Sequence, residues 1–145
     1  MLSSTEFTRY QKQLAIPEWD EAKQLLLKQA HVMIVGAGGL GVSVIPYLAA
    51  AGVGHLTLID HDVVELSNLG RQTIYREDQI GQSKVLLAKD FVEALNPHVQ
   101  VDAIAEKFSM ANGSTPRHKP SPTMPFPRST LNRIGFEQST SVDRN

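Results

Sequence analysis

The chain has 145 residues, a length that fits one domain. Its 14 Lys and Arg residues nearly balance 15 Asp and Glu residues, and the resulting net charge of -1 disfavours a protein held on nucleic acid or anionic lipid by bulk charge. Cysteine is absent, which excludes disulfides, zinc thiolate sites and a cysteine nucleophile from this chain.

Two parts of the chain differ in composition. Residues 1–108 hold nine Lys and Arg against 13 Asp and Glu, whereas residues 109–145 hold five against two and five of the eight prolines. The second part, rich in Pro and Ser, is expected to be largely disordered. We therefore predict an N-terminal helical segment (1–30), a folded domain (31–108) and a tail (109–145). The N-terminus does not resemble a signal peptide, and no apolar run reaches about 18 residues, so a cytoplasmic protein is expected.

The first predicted elements are a helix, a strand and a second helix. Asp20 is expected to cap a helix of the N-terminal segment, and His31–Val35 is a short apolar run typical of a buried strand. Leu40–Ala51 is rich in helix formers and ends at Gly52, a residue common just after helices. Pro46 is unusual inside this helix, because proline removes a hydrogen bond and often kinks the backbone.

The next elements continue the alternation. His55–Asp60 predicts a second strand, Ser83 is expected to cap a helix running to about Leu95, and Val99–Ala105 predicts a third strand. Strands that alternate with helices pair in parallel through right-handed crossovers. The sequence therefore predicts an α/β fold, the N-terminal half of a Rossmann-like, doubly wound and mostly parallel sheet.

A glycine-rich motif follows the first strand. Gly36-Ala37-Gly38-Gly39-Leu40-Gly41 matches G-x-G-x-x-G at the start of a helix, where free N–H groups bind phosphate. Asp60 ends the second strand 19 residues beyond Gly41, the place of the carboxylate that binds ribose in such folds. A glycine turn needed only for packing is the alternative, but the combined pattern favours a nucleotide site.

Two cations follow in later loops. Arg71 comes in the stretch Asn68–Gln72, and Lys84 stands at the start of the third helix. Each alone is typical of a solvated surface charge. Together they suit a triphosphate and a reaction at phosphorus better than a dinucleotide.

Taken together, these motifs make the sequence resemble the MoeB/ThiF adenylyltransferases, bacterial relatives of the ubiquitin-activating enzymes. The resemblance covers about residues 9–108 and rests on several strings in family order and spacing. They are Arg9-Tyr10-Gln11-Lys12-Gln13, Gly36–Gly41, Ala51–Gly54, Leu58–Asp62, Leu66–Gln72, Gly81–Lys84 and Asn96-Pro97.

The resemblance implies an ATP- and Mg²⁺-dependent reaction. The family adenylates the C-terminal glycine carboxylate of a ubiquitin-like sulfur carrier ending in Gly-Gly, in molybdopterin or thiamine biosynthesis. Arg71 and Lys84 are the implied catalytic residues, with Gly41 against the phosphates and Asp60 on the ribose. The implied nucleotide-binding set is Gly36, Gly38, Gly39, Gly41, Asp60, Asp62, Asn68, Arg71, Gln72 and Lys84, with Arg9 and Lys12 reaching the partner's site in a homodimer. Nucleic acid and membrane are not expected partners, and no metal ligand is assigned.

The chain also departs from the family pattern. Lys12 stands where the family has a second arginine, so the charge stays and the bidentate fork is lost. The D-x-T-D-N string that helps hold Mg²⁺ and the later cysteines are absent, and only Arg128–Asn132 faintly matches the family beyond Phe108. We therefore expect a truncated or frameshifted chain that binds nucleotide weakly and turns over little.

Two other functions stay open. A catalytically silent nucleotide-binding or dimerising module would fit the missing distal residues. A fragment of an NAD-dependent oxidoreductase is disfavoured by Arg71, Gln72 and Lys84. Among the aromatic residues, Trp19, Tyr47 and Phe91 are expected in the core or in a dimer contact, and the histidines do not cluster at metal-ligand spacing.

Overall fold

The computed structural model of the protein describes residues 1–111. These residues form four α-helices and three β-strands, with two short 3-10 turns at Leu66–Asn68 and Glu77–Gln79. The elements are α1 (Ser4–Leu14), α2 (Glu21–Gln29), β1 (His31–Val35), α3 (Gly41–Ala51), β2 (His55–Ile59), α4 (Lys84–Leu95) and β3 (Gln100–Ile104). Apart from its first three residues, the predicted tail 109–145 lies outside the described residues, and so does Arg128–Asn132.

The strands form one parallel sheet in the order β1-β2-β3. His31 of β1 pairs with His55 of β2, which pairs in turn with Gln100 of β3. Parallel neighbours need crossover connections, and α3 and α4 lie in the two connections. The predicted α/β class is confirmed. All three strands end at the same edge of the sheet, which is where α/β proteins bind ligands.

The core lies between the sheet and these two crossover helices. Apolar residues recur at helical spacing on the inner faces of α3 and α4, as a helix that covers a sheet requires. The sheet contributes the fully buried side chains of Leu56 and Leu58, and Phe91 of α4 packs against the cluster from its margin. The buried apolar residues of these two helices are Val42, Ile45, Ala49, Val85, Ala88 and Val92.

Helix boundaries follow local chemistry with one correction. Asp20 caps α2 as predicted, since its side chain accepts a hydrogen bond from the Lys23 N–H at 2.9 Å. Ser83 does occupy the N-cap position of α4, but its side chain makes no capping hydrogen bond. The first N–H of that helix, on Lys84, instead donates to the Asp62 carbonyl at 3.1 Å. Pro46 lies inside α3, and the helix continues through it.

The N-terminal helix α1 is tied to α2 through a buried carboxylate. Glu6 is 2% exposed, and its Oε1 lies 2.6 Å from the Lys28 ammonium of α2. Its other oxygen accepts from the Ser3 N–H at 2.9 Å in a capping box. Burial acts to raise the pKa of Glu6, but the hydrogen bonds from Lys28 and Ser3 outweigh it and lower the pKa to about 2.

Neutral amides satisfy the carboxyl end of α3. Gln24 Nε2 donates to the Ala51 carbonyl and Asn96 Nδ2 to the Ala49 carbonyl, each at 2.8 Å. The helix then ends at Gly52, whose φ of +91° favours glycine. A Cβ on Gly52 would lie only 2.6 Å from Cζ of the buried Tyr10, so this position requires glycine twice over.

The outer face of α3 is apolar and exposed. Leu40, Val44 and Tyr47 recur at helical spacing, and Tyr47 is 78% exposed, so Tyr47 is not a core residue. We call these three residues the α3 stripe. Within residues 1–111, no helix has the length and apolar character to cross a membrane.

Candidate functional site

The glycine loop leaves β1 in a conformation that depends on its glycines. Gly36 has a φ of +95°, and its N–H donates to the Ile59 carbonyl of β2 at 2.8 Å. A Cβ on Gly41 would lie 2.0 Å from the Gly36 carbonyl oxygen, so the start of α3 approaches the loop too closely for any side chain. This is the close packing that such a motif provides.

The Asp60 carboxylate anchors the glycine loop by a hydrogen bond. Asp60 is 8% exposed, and its Oδ2 accepts from the Ala37 N–H at 2.6 Å while Oδ1 accepts from the Asp62 N–H at 2.9 Å. An ionised carboxylate offers about four acceptor sites, so two remain for further donors. Asp60, the residue predicted to bind a ribose, therefore lies at the carboxyl edge of the sheet and can accept two more hydrogen bonds.

A pocket of about 400 Å³ opens beside the loop. It brings together five of the predicted site residues, which come from the segment after β2, from the first 3-10 turn and the residues just after it, and from the start of α4. The lining residues are His61, Asp62, Val63, Glu65, Asn68, Arg71, Gln72 and Lys84. The glycine loop lies next to this lining, because a Cβ on Gly38 or on Gly39 would be 3.7 Å from Gln72 Nε2 or Arg71 Nε.

The two cations of the pocket are held differently. Lys84 is 5% exposed, and its ammonium lies 3.3 Å from Oδ2 of Asp62. Arg71 is exposed, and its Nη1 donates to the Ser67 carbonyl at 3.1 Å. Arg71 therefore presents its charge to solvent, whereas the charge of Lys84 is paired with Asp62.

Two amides complete the wall. Asn68 is buried, and its Oδ1 accepts from the Glu65 N–H at 3.1 Å. Gln72 is 2% exposed, and its buried Oε1 has no hydrogen-bond partner among the described residues. A buried acceptor without a partner costs free energy, which fits a side chain that completes its bonding with a ligand or a water.

One contributor was not predicted. Tyr75 is buried, and its hydroxyl donates to the Ala37 carbonyl of the glycine loop at 2.7 Å. The sequence contains no motif that would bring a tyrosine of the segment between β2 and α4 into contact with the glycine loop 38 residues earlier. Only the path of the chain between β2 and α4 brings the two together.

Arg9 and Lys12 do not line the pocket. Arg9 Nη1 donates to the Leu95 carbonyl at 2.9 Å, at the far end of α4 from Lys84. A helix of 12 residues spans about 18 Å, so Arg9 does not reach the pocket of its own chain.

The acidic edge of the pocket has the composition of a weak cation site. Ligand atoms of Asp60, His61 and Asp62 lie within 4.8 Å of one another. Both oxygens of Asp60 already accept backbone N–H groups, which leaves the half-exposed Asp62 as the better oxygen donor. Mg²⁺ commonly takes one or two carboxylates together with phosphate oxygens, so these residues fit such an ion bound with a nucleotide.

Comparison with known proteins gives one consistent result. The model of the ThiF family matches residues 10–119. The chain is 44% identical over 107 residues to the sulfur carrier protein adenylyltransferase of Thermus thermophilus, covering 74% of this chain and 40% of that protein. It is 46% identical over 103 residues to the molybdopterin-synthase adenylyltransferase of Escherichia coli, covering 71% and 41%.

Solved structures agree with the sequence relatives. The E. coli tRNA N6-threonylcarbamoyladenosine dehydratase TcdA in complex with AMP matches with a TM-score of 0.71 at 28% identity, covering 77% of this chain and 45% of that one. E. coli MccB with ATP matches with a TM-score of 0.58 at 37% identity, covering 61% and 26%. The chain thus spans about 40% of the length of the first two sequence relatives.

Proposed function

The chain belongs to the ThiF family, and from that premise we propose that it is the ATP-binding part of an adenylyltransferase. Its substrate would be the C-terminal glycine carboxylate of a ubiquitin-like sulfur carrier ending in Gly-Gly, of the molybdopterin or thiamine type. The observation that carries this proposal is the pocket that places Arg71 and Lys84 beside a glycine loop anchored on Asp60. Relatives named for sulfur-carrier and molybdopterin-synthase adenylylation support it.

In this proposal the nucleotide lies across the carboxyl edge of the sheet. Its ribose hydroxyls donate to the two acceptor sites of Asp60 that the backbone leaves unused. Its phosphates lie against Gly36–Gly41 at the positive end of α3, where N–H groups lack helical partners. The structures of TcdA with AMP and MccB with ATP support a nucleotide in this fold.

The chemical step takes place between the pocket and the incoming carrier. A carboxylate oxygen of the carrier attacks the α-phosphorus, a new P–O bond forms, and the bond to the pyrophosphate oxygen breaks. Negative charge grows on the leaving pyrophosphate. Arg71 and Lys84 stabilise that charge, with Asn68 and Gln72 completing the wall.

Lys84 changes partners during this process. Its ammonium neutralises Asp62 in the free protein, and triphosphate binding draws it toward the phosphates. The released Asp62 carboxylate would then hold Mg²⁺ together with phosphate oxygens. Bound there, Mg²⁺ would add its positive charge to those of Arg71 and Lys84 opposite the departing pyrophosphate.

We also propose a homodimer in which Arg9 and Lys12 serve the partner's site. Arg9 lies at the far end of α4 from its own pocket, so it acts on a nucleotide only in another copy. The α3 stripe supports association, because contiguous exposed apolar side chains mark interaction surfaces. We place this protein in the cytoplasm, acting without nucleic acid or membrane.

A second candidate is a nucleotide-binding and dimerising module without catalysis, which the pocket and the α3 stripe would also suit. ATP–pyrophosphate exchange in the presence of a carrier ending in Gly-Gly separates the two. Exchange above background supports the enzyme, and tight ATP binding with no exchange supports the silent module.

Calorimetric titration of the full chain with ATP and with NAD tests the nucleotide site itself. We expect ATP to bind more tightly, and Asp60→Ala to weaken ATP binding by about 1–3 kcal/mol, since the ribose hydroxyls lose a charged acceptor. Asp102→Ala is a control, because Asp102 lies on β3 and does not line the pocket. Tighter binding of NAD than of ATP would contradict the proposal.

A further inference from the structure

Both backbone polar groups of Ala37 are hydrogen-bonded to side chains. Its N–H donates to Asp60 at 2.6 Å, and its carbonyl accepts from the Tyr75 hydroxyl at 2.7 Å. The residue is 1% exposed, and no other hydrogen bond to its carbonyl is found within residues 1–111. Tyr75 therefore satisfies a backbone group that the glycine loop itself leaves without a partner.

The same hydroxyl also faces the start of α4. It lies 3.3 Å from the Lys84 carbonyl, which is longer than its bond to Ala37. A tyrosine hydroxyl has a single proton to donate, so the two carbonyls share one donor. Burial, and after it the Asp60 carboxylate, raises the pKa of Tyr75, so the hydroxyl keeps this proton throughout the physiological range.

These contacts close a ring of hydrogen bonds. The Ala37 N–H donates to Asp60, and the Asp62 N–H donates to the other oxygen of the same carboxylate. The Lys84 N–H donates to the Asp62 carbonyl at 3.1 Å. Tyr75 closes the ring, since its hydroxyl lies between the carbonyls of Lys84 and Ala37. The ring joins the glycine loop, the end of β2 and the first turn of α4.

We propose that Tyr75 is a positioning residue that fixes the glycine loop relative to Lys84. The groups that contact the two ends of a bound nucleoside triphosphate then keep fixed positions relative to one another. The inference rests on the proposed ATP site and adds a residue that does not line the pocket. Without the hydroxyl, the buried Ala37 carbonyl would lose its hydrogen-bond donor, and the contact with the Lys84 carbonyl would also be lost. The loop or the first turn of α4 would then shift toward water.

Tyr75→Phe tests this with one atom removed and the ring retained. Tyr10→Phe is the matched control, because the Tyr10 hydroxyl is also buried and hydrogen-bonded, to Asn96 at 2.9 Å, outside the ring. Both variants are expected to lose a similar amount of thermal stability. Only Tyr75→Phe should weaken ATP binding, by about five- to tenfold in calorimetric titration of the full chain, the range of one hydrogen bond. Equal ATP affinity in Tyr75→Phe and the wild type would overturn the proposal.

A double-mutant cycle measures the coupling directly. In the wild-type background Lys84→Ala should weaken ATP binding, and in the Tyr75→Phe background the same change should cost at least about threefold less. In the Tyr10→Phe background the cost should equal that in the wild type. Additive effects of Tyr75→Phe and Lys84→Ala would show that the hydroxyl only contributes stability.

Hydrogen exchange of the free protein gives a readout that does not need a nucleotide. Tyr75→Phe should speed exchange of the Gly38 and Gly39 amides more than that of the β2 amides, and Tyr10→Phe should not. If the wild-type chain fails to bind ATP, the proposed function is wrong, and this exchange pattern alone decides whether Tyr75 holds the loop. Unchanged exchange at Gly38 and Gly39 would refute that role.

Discussion

Glu6 makes stability depend on acidic pH in a way that can be measured. Its pKa is about 2 in the folded protein against an ordinary value of 4.5. A group whose pKa is depressed on folding contributes its full stabilisation above the unfolded pKa and loses it as the pH falls through the folded one. That difference corresponds to about 3 kcal/mol at pH 7 and about 1 kcal/mol at pH 3.

We therefore expect Glu6→Gln to lower the free energy of unfolding by about 2–3 kcal/mol at pH 7, somewhat less than the full value because Lys28 is partly exposed and its charge is screened. Urea denaturation followed by circular dichroism at pH 7, 5, 4 and 3 measures the difference between variant and wild type. The difference should shrink between pH 5 and pH 3.

Glu93→Gln is the control for this series. Glu93 pairs with Lys89 on an exposed helix face at 3.6 Å, and such pairs contribute about 0.5 kcal/mol or less. A Glu6→Gln variant as stable as the wild type at pH 7 would refute the reasoning. A destabilisation of the same size at every pH would also refute it, because the effect would then come from packing and not from the carboxylate charge.

Gly52→Ala should destabilise the fold by at least about 2 kcal/mol in urea denaturation, because it adds left-handed strain to a clash at 2.6 Å. Gly70→Ala, in open space, should cost far less. In a full-length relative that carries Arg71 and Lys84, replacing either by alanine should lower the rate of ATP–pyrophosphate exchange more than the ATP affinity, since both charges act on the transition state. Tyr47→Lys should weaken self-association in sedimentation velocity, because it places a charge on the α3 stripe.

The predictions for the pocket cations and for the α3 stripe each have a matched control variant. Arg76→Ala, an exposed arginine outside the pocket, should leave exchange unchanged, and unchanged exchange in both pocket variants would refute their assignment. Leu86→Lys is the control for Tyr47→Lys, because it places the same charge on an exposed apolar position of α4, outside the α3 stripe. A wild-type chain that sediments as a folded monomer at high concentration would contradict the dimer.

Sequence reasoning located the elements because their signals are local. Asp20 and Gly52 mark a helix start and a helix end through their own chemistry, and alternation of strands and helices implies a parallel sheet. The glycine motif and Asp60 were found together because both follow strands that end at one edge. Arg71 and Lys84 were predicted to lie near the same crevice, and both line the pocket.

What sequence reasoning missed depends on contacts between distant parts of the chain. The bond between Tyr75 and Ala37 depends on the path of an irregular loop, which has no periodicity. Ser83 has the residue type of a cap, yet the Asp62 carbonyl takes the N–H that starts the helix. The ion pair of Asp62 with Lys84 also needed three dimensions, because neither residue alone indicates a partner 22 residues away.

The capping of α3 has a consequence for how its ligand end responds to conditions. No residue of α3 carries a charge, and the groups that satisfy its last carbonyls, on Gln24 and Asn96, are amides that do not titrate. The electrostatic potential that the α3 dipole presents to the glycine loop therefore does not depend on the protonation of its capping groups. Apart from the phosphates, we expect any change of nucleotide affinity with pH to come from Asp60 and the ionisable side chains of the pocket, so a pH titration of binding reports on those groups.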